Sequence, residues 1–251
     1  MKLKVLAGAV VSQLLVVTSA QAVPTTYYDI DFSAPINTVG STPATGSGTD
    51  TVSSVVFGQP VVESSFGALA DESLVFNTTG NTGGCCHYDQ IKLDLGESSD
   101  RYQVSFDLST ENYVNTGAGN TFTLLFDTPQ VRNIYFQNDG TIREYARVLG
   151  SFSDNSLLNM MIDINLATNT WDVFMNGGLL STSVFTPSGD DIESLRFSFG
   201  GSSTTSFDSV GIDNIKVTNG EVLASVPEPA ALSLMLLGLI GVGFNRRKYA
   251  A

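Results

Sequence analysis

The sequence has few charged residues, and those it has are mostly of one sign. Only 15% of its 251 residues are charged, with 12 Lys and Arg against 25 Asp and Glu, so its net charge is −13. Such a chain is poorly suited to nucleic acid, whose phosphates are bound through Lys and Arg, and we expect no nucleic-acid partner. One histidine and two cysteines argue against multi-histidine metal sites and a disulfide scaffold. The 42% of hydrophobic residues argue against a disordered chain.

The first 22 residues have the composition of an export signal. Lys2 and Lys4 form a positive start, Val5 to Val17 is a largely apolar run, and Ala20-Gln21-Ala22 offers small residues for cleavage. We therefore expect residues 1–22 to be a signal peptide that signal peptidase removes. An uncleaved anchor helix is the alternative, but the apolar run is shorter than the ~20 residues that span a bilayer.

The C-terminal segment, residues 226–251, has three parts in a fixed order. A Pro-Glu-Pro triplet interrupts any preceding structure, residues 230–244 carry no charge, and a basic cluster follows. Basic residues stay on the cytoplasmic side of a membrane, so we expect a helix at about 230–244 that spans the inner membrane with the body outside. A buried core helix is the alternative, although such a helix rarely pairs this start with a basic stop. The residues that define the two flanking parts are Pro227, Glu228, Pro229, Arg246, Arg247 and Lys248.

This tripartite tail resembles the PEP-CTERM protein-sorting signal of exopolysaccharide-producing Gram-negative bacteria. The resemblance implies that the partner is an exosortase, which cuts near Pro-Glu-Pro, and that the precursor is anchored in the inner membrane. It further implies a final location at the cell surface or in the extracellular matrix. The resemblance concerns the tail alone and is silent about the chemistry of the body.

The body between the two ends, residues 23–225, is more acidic than the whole chain. Without the ends the bases fall from 12 to 7 and the acids from 25 to 24, which gives a net charge of −17. Its sequence consists of short alternating segments separated by Gly, Asn, Asp and Ser, as in Gln90 to Leu95 and Arg101 to Leu108. Val52 to Val62 reads as one further segment. This pattern predicts an all-β domain, a single antiparallel jelly-roll sandwich of two sheets.

Two hairpins carry a second resemblance. Met160 to Leu166 and Trp171 to Met175 are joined by a short turn, and Asn176-Gly177-Gly178 follows the second strand. Val131 to Tyr145 contains an Asn-Asp-Gly turn typical of a preceding hairpin. This order is similar to that of concanavalin A-like and laminin G-like domains, and it implies the same sandwich fold.

The body lacks the residue patterns of several enzyme classes. Glucan-cleaving members of the concanavalin-like fold use paired glutamates, but no Glu-x-Asp-x-x-Glu sequence is present. Any catalytic pair of a nucleophile and a histidine would have to use His87, because the sequence contains one histidine. We therefore expect a protein that is not an enzyme. A hydrolase built on scattered aspartates and a purely structural matrix protein are the alternatives.

Cys85 and Cys86 are neighbours in a glycine-containing loop. In an oxidising compartment we rank a strained vicinal disulfide or loop clamp first, metal binding together with His87 second, and a catalytic role last.

No cofactor is certain from the sequence, and calcium is the most plausible one, because this ion binds several oxygen ligands. The first and last strands adjoin in many sandwiches, and both carry acidic or amide side chains. We rank this calcium site below the simpler interpretation, in which these acids face water on edge strands. The candidate ligands are Asp29, Asp31, Asp208, Asp213 and Asn214.

Exposed aromatic side chains are the usual platforms for carbohydrate, and sequence alone does not place them relative to one another. Trp171 lies at an alternating position that is typical of the core. The sequence thus predicts an exported surface or matrix protein with extracellular polysaccharide as its candidate partner. The other available aromatics are Tyr27, Tyr28, Tyr88, Tyr113, Tyr135 and Tyr145.

Overall fold

The computed structural model describes residues 24–46, 50–77, 87–95, 99–114, 120–127, 133–184, 192–201 and 208–219. The predicted signal peptide, the predicted membrane helix, the sorting residues and the two cysteines lie outside these ranges. Within them, no helix has the length and apolar character needed to cross a membrane.

The described chain is built from strands, and the all-β prediction is confirmed. The strands are β1 (Thr26–Ile30), β2 (Ser54–Phe57), β3 (Val61–Glu63), β4 (Ser73–Asn77), β5 (His87–Asp94), β6 (Arg101–Glu111), β7 (Thr121–Phe126), β8 (Ile134–Gln137), β9 (Thr141–Glu144), β10 (Arg147–Ser151), β11 (Leu158–Asn165), β12 (Thr170–Met175), β13 (Gly178–Val184), β14 (Ser194–Gly201) and β15 (Ser209–Thr218).

These strands form two antiparallel sheets. The eight-stranded sheet has the order β13-β12-β11-β6-β15-β4-β3, with β1 also paired to β15. The seven-stranded sheet has the order β10-β9-β8-β7-β14-β5-β2. One large hydrophobic core contains side chains from both sheets, as a sandwich requires.

Strict alternation along the strands creates this core. In β6, Tyr102, Val104 and Phe106 are buried, whereas the residues between them are only half-buried. Trp171 of β12 is only 1% exposed, and its ring meets Phe126 edge-on at 5.9 Å between centroids. The prediction that Trp171 belongs to the core is confirmed.

Along one edge of β15 the neighbouring strand changes from β4 to β1. We call the point where this change occurs, in the middle of the strand, the β15 junction. Ser209 to Ile212 pair with β4, and Ile215 to Thr218 pair with β1. The pairing with β6 shifts register between Asp213 and Lys216, and Asn214 has a φ of 51°. A β-bulge of this kind inserts an extra residue and bends the strand. The first and last strands adjoin, as the calcium argument assumed.

The segment predicted from Val52 to Val62 is two strands rather than one. It divides into β2 and β3, which belong to different sheets. The break falls at Gly58, which has a φ of 70° and lies against Asp89 so closely that an added Cβ would be 1.7 Å from its Oδ1 atom. Only glycine fits this turn, because it tolerates positive φ and has no side chain.

Candidate functional site

The residues predicted to bind calcium do not form a single group. Asp29 is exposed and forms an ion pair with Lys216 at 3.4 Å. Asp208 is fully buried and accepts a hydrogen bond of 2.8 Å from Nδ2 of Asn120. Each of these two carboxylates is thus engaged by another side chain of the fold.

Two further predicted ligands, Asp213 and Asn214, lie at the β15 junction, where they meet a carboxylate that the sequence analysis missed. Asp213 is directly opposite Asp107 of β6. The Nδ2 group of Asn214 donates to Asp107 Oδ2 at 2.9 Å and to Asp213 Oδ2 at 3.3 Å, so it bridges the pair. Burial, together with the negative charges of Asp107, Asp31 and Asp71, raises the pKa of Asp213 to about 7.

Asp31 lies just beyond the end of β1 and is linked to a buried carboxylate, Asp50. The amide of Asp31 donates to Asp50 Oδ1 at 3.1 Å, and Asn37 Nδ2 donates to Asp50 Oδ2 at 2.9 Å. Hydrogen bonds from Ser33 lower the pKa of Asp31, whereas burial raises the pKa of Asp50. Among the described residues, no group of three or more His, Cys, Asp or Glu side chains is arranged to hold a metal ion. Calcium binding stays a prediction.

The aromatic side chains separate sharply by exposure. Tyr28, Tyr113 and Trp171 are buried, and Tyr27 and Tyr135 are half-buried. Tyr145, at the turn between β9 and β10, is 80% exposed and has a φ of 52°. Holding a bulky residue in the left-handed region costs energy, so this turn presents the ring to solvent at some expense in strain. The side chain of Tyr88 lies outside the described part.

A row of polar side chains crosses the seven-stranded sheet on the face that points away from the core. Its register follows from four successive strand pairs: β5 with β14, β14 with β7, β7 with β8, and β8 with β9. Neighbouring positions along each strand are core residues such as Phe197 and Leu124. We name this set the polar row; its members, in order, are Gln90, Ser198, Thr123, Tyr135 and Arg143.

The polar row is well shielded at one end and open at the other. Gln90, Ser198 and Thr123 are each less than 9% exposed, although they face away from the core, and Tyr135 and Arg143 are half-buried. The Oε1 atom of Gln90 is shielded from solvent and accepts no hydrogen bond from the described chain. Beside this row, Nε of Arg196 is shielded and donates none within that part of the chain.

Sequence reasoning missed the polar row and Asp107. Gln90 and Arg143 lie at polar positions of alternating strands, which is a signal for an outward face but not for a site. Their alignment depends on pairing between strands that are far apart in the chain, such as β5 with β14.

The C-terminal tail matches a known family of sorting motifs. Residues 225–248 match the family described as the PEP-CTERM protein-sorting motif. This confirms the predicted sorting motif, since Pro227, Glu228, Pro229 and the basic cluster at 246–248 all lie within the match. A search of curated proteins finds no match to the chain.

The solved structures to which this chain is similar differ greatly from it in sequence. The binding domain of Paraclostridial Mosquitocidal Protein 1 matches with a TM-score of 0.53 and 11% identity, over 77% of this chain and 48% of that one. The cellulose induced protein Cip1 matches with a TM-score of 0.47 and 13% identity, over 64% of this chain and 85% of that one. A sialidase matches with a TM-score of 0.45 and 16% identity, over 62% of this chain and 16% of that one.

These likenesses concern the fold alone, and the chain spans about half the length of the mosquitocidal protein's chain. The first of them agrees with the two antiparallel sheets described above. The chain therefore carries a PEP-CTERM protein-sorting motif at residues 225–248, the mark of an exported and sorted protein, and its body is an antiparallel two-sheet β-sandwich.

Proposed function

We propose that this protein is a non-catalytic component of the cell surface or extracellular matrix, whose sandwich associates with exopolysaccharide. The sorting motif supports the export part of the proposal. One structural neighbour is a binding domain. This likeness supports a sandwich fold of a kind that can serve in binding, and it supports no particular ligand. Exosortase is the partner that the tail implies.

The observation that carries the polysaccharide part is the exposure of Tyr145. Tyr145 is 80% exposed and directly follows β9, the strand that also carries Arg143 of the polar row. An aromatic ring combines a flat apolar face with a polar hydroxyl, and therefore suits a sugar, which has both kinds of surface. A fold gains no stability from an exposed ring held at positive φ, so a binding role accounts for its presence.

A hydrolase would need two carboxyl groups with separated pKa values that both reach a substrate. Asp107 and Asp213 face each other and Asp213 has a raised pKa, so this pair is the arrangement to consider first. However, Asp213 is only 4% exposed. The oxygens of Asp107 are also engaged, since Asn159 Nδ2 donates to Oδ1 at 2.5 Å and Asn214 Nδ2 donates to Oδ2 at 2.9 Å. One carboxylate of the pair is thus buried and the other is engaged by two amides, which suits a structural role. Our proposal is a protein without an enzymatic reaction.

The test is the retention of the full chain on immobilised exopolysaccharide from a producing strain. Tyr145→Ala should weaken retention about fivefold, because burying about 50 Å² of the ring at about 25 cal/mol per Å² contributes about 1 kcal/mol. Tyr145→Phe keeps the ring and should bind like the wild type.

Val184→Ala is the matched control, because Val184 is 69% exposed and its loss removes apolar surface without removing a ring. Equal retention of wild type and Tyr145→Ala would show that the ring is not used. No retention of the wild type would favour a purely structural matrix protein instead.

A further inference from the structure

We infer that the outer face of the eight-stranded sheet, on strands β11 to β13, is a docking surface for a basic amphipathic helix of a partner protein. This inference goes beyond the proposed function, because it assigns a protein partner to a surface that the polysaccharide proposal does not use. It is carried by three apolar side chains on adjacent strands and by the carboxylates beside them. We name these three side chains the apolar stripe; they are Met161, Phe174 and Leu179.

The strand register places the apolar stripe in one row across the sheet. Met161 of β11 is opposite Phe174 of β12, and Phe174 is opposite Leu179 of β13. The stripe faces away from the core, because its sequence neighbours Met160 and Leu180 belong to the main core cluster or pack against it. Met161 and Phe174 are half-buried, and Leu179 is 56% exposed. Side chains at opposite positions of adjacent strands are in contact range, so the stripe is one apolar surface.

The fold covers another apolar patch of this sheet face with its own loop. Phe66 and Leu69 pack on Val75 of β4, in a cluster separate from the main core. The amides of Gly67 and Ala68 donate to two side chains of β6 at 3.0 Å and hold the loop in place. In the part of the chain that the structure describes, the apolar stripe belongs to no such cluster. Grouped apolar side chains with a polar rim mark an interaction surface.

Carboxylates border the apolar stripe on both sides. Asp163 and Asp172 form the next row on one side, and Asp107 lies on the other side, on β6. The cations Arg101 and Lys216 lie on the same face, but each is bound to an aspartate, Arg101 to Asp163 and Lys216 to the aspartate opposite it on β1. Within the described ranges, Asp172 and Asp107 form no ion pair with Lys or Arg. Their negative charges therefore favour a cationic partner.

The spacing of the apolar stripe suits a helix that lies across the strands. Adjacent strands are about 4.8 Å apart, and one turn of an α-helix rises about 5.4 Å. Successive turns of a helix can therefore place apolar residues at i, i+3 or i+4, and i+7 against the three stripe residues. Lys or Arg beside that apolar face would reach Asp172 on one side and Asp107 on the other. The net charge of −17 on residues 23–225 repels an acidic partner.

The experiment measures the binding of a fluorescent amphipathic peptide of Leu and Lys by anisotropy. The full chain is held in nanodiscs of zwitterionic lipid, and empty nanodiscs give the reference. A Leu and Glu peptide of the same pattern tests the charge, and a Ser and Lys peptide tests the apolar face. We expect binding of the Leu and Lys peptide above the reference, with each of the other two at least tenfold weaker.

Two variants locate the contact. Leu179→Ser should weaken binding about tenfold, because it removes about 60 Å² of apolar surface from the contact. Asp172→Asn should weaken it about threefold, as expected for a solvated ion pair. Val148→Ser is the matched apolar control, since Val148 is 54% exposed on β10 of the other sheet. Asp94→Asn is the charge control, because Asp94 lies on β5 of that same sheet. Both controls should bind like the wild type.

Each other result overturns the inference. Equal binding by the wild type and Leu179→Ser, or equal losses in Leu179→Ser and Val148→Ser, would show that the peptide does not use the apolar stripe. Equal binding of the Leu and Glu peptide would contradict a basic partner. A dimer of the wild type that Leu179→Ser dissociates would assign the stripe to a second copy of the chain. Because no polysaccharide is present, none of these results bears on the proposed function.

Discussion

At the scale of single residues, Asp213 shows how the fold accommodates a buried carboxylate that lies opposite a second one. It faces Asp107 on the next strand, and like charges at directly opposite positions destabilise a sheet. The amide of Asn214 donates to Asp213 Oδ1 at 2.7 Å, and the Asn214 side chain bridges both acids. These hydrogen bonds oppose the effect of burial but do not cancel it, because the pKa of Asp213 is still raised to about 7.

The first prediction at this scale concerns Asp213→Asn. A raised folded-state pKa means that the wild type is destabilised as the pH rises from about 4, where the unfolded group ionises, to about 7, where the folded group does. The variant should therefore match the wild type near pH 4 and be more stable by up to about 4 kcal/mol above pH 7, at about 1.4 kcal/mol per pH unit. Chemical denaturation at pH 4 and pH 8 measures both values.

Asp139→Asn serves as a control of opposite sign. Hydrogen bonds from Thr141 and the charge of Arg143 lower the pKa of Asp139, so its charged form is the favoured one in the fold. This variant should be less stable than the wild type at pH values above about 4, and the difference should disappear as the pH falls well below 4. An Asp213→Asn variant that gains nothing between pH 4 and pH 8 would contradict the account of the pair.

At the scale of strands, Tyr113 ties the end of β6 to the seven-stranded sheet. Its hydroxyl donates to the carbonyl of Phe136 on β8 and accepts a hydrogen bond of 3.0 Å from the amide of Phe122 on β7. The ring packs against Phe152 and Phe199, and burial raises the pKa of the hydroxyl well above its usual range. A single side chain thus links the two layers of the sandwich.

We expect Tyr113→Phe to lower the free energy of unfolding by about 1–3 kcal/mol, because it leaves buried backbone groups without their partner. Tyr135→Phe is the comparison, since Tyr135 is half-buried and its hydroxyl accepts a long hydrogen bond of 3.3 Å from Asn133. That change should cost much less. Equal losses in urea denaturation would mean that the hydroxyl of Tyr113 has no particular structural role.

Much of the strand content was predictable from sequence, because alternation is a local property. The β11–β12 hairpin and the turn at Gly140 follow from residues that are neighbours in the chain. The division between β2 and β3 was not predicted, since it depends on the contact of Gly58 with the distant Asp89. The Asp107–Asp213 pair and the polar row likewise require strand registers that join residues far apart in sequence.

Among the candidate ligands, sequence patterns indicated acidic side chains but not their surroundings. Asp29 and Asp31 have the same alternating spacing, yet one pairs with Lys216 and the other contacts the Asp50 segment. The expectation that these acids simply face water fails for Asp208 and Asp213, which are buried. Burial of this kind depends on tertiary packing, and a local pattern does not report it.

At the scale of the whole molecule, the chain combines a C-terminal sorting motif with a strongly acidic β-sandwich. The sorting motif accounts for the cluster of basic residues at 246–248, while the body contains 24 of the 25 acidic residues. Repulsion between such bodies favours their dispersal in a matrix over self-association. In our account the sandwich then associates with the exopolysaccharide of that matrix.

The most direct measurement is the distribution of the protein in a strain that makes exopolysaccharide and in an isogenic strain that does not, both carrying exosortase. Fractions of cells, matrix and medium are compared by quantitative immunoblotting. The account predicts that the processed protein is held in the matrix fraction of the producing strain and shifts to the medium when the polysaccharide is absent. An identical distribution in both strains would contradict the claim that the sandwich associates with exopolysaccharide.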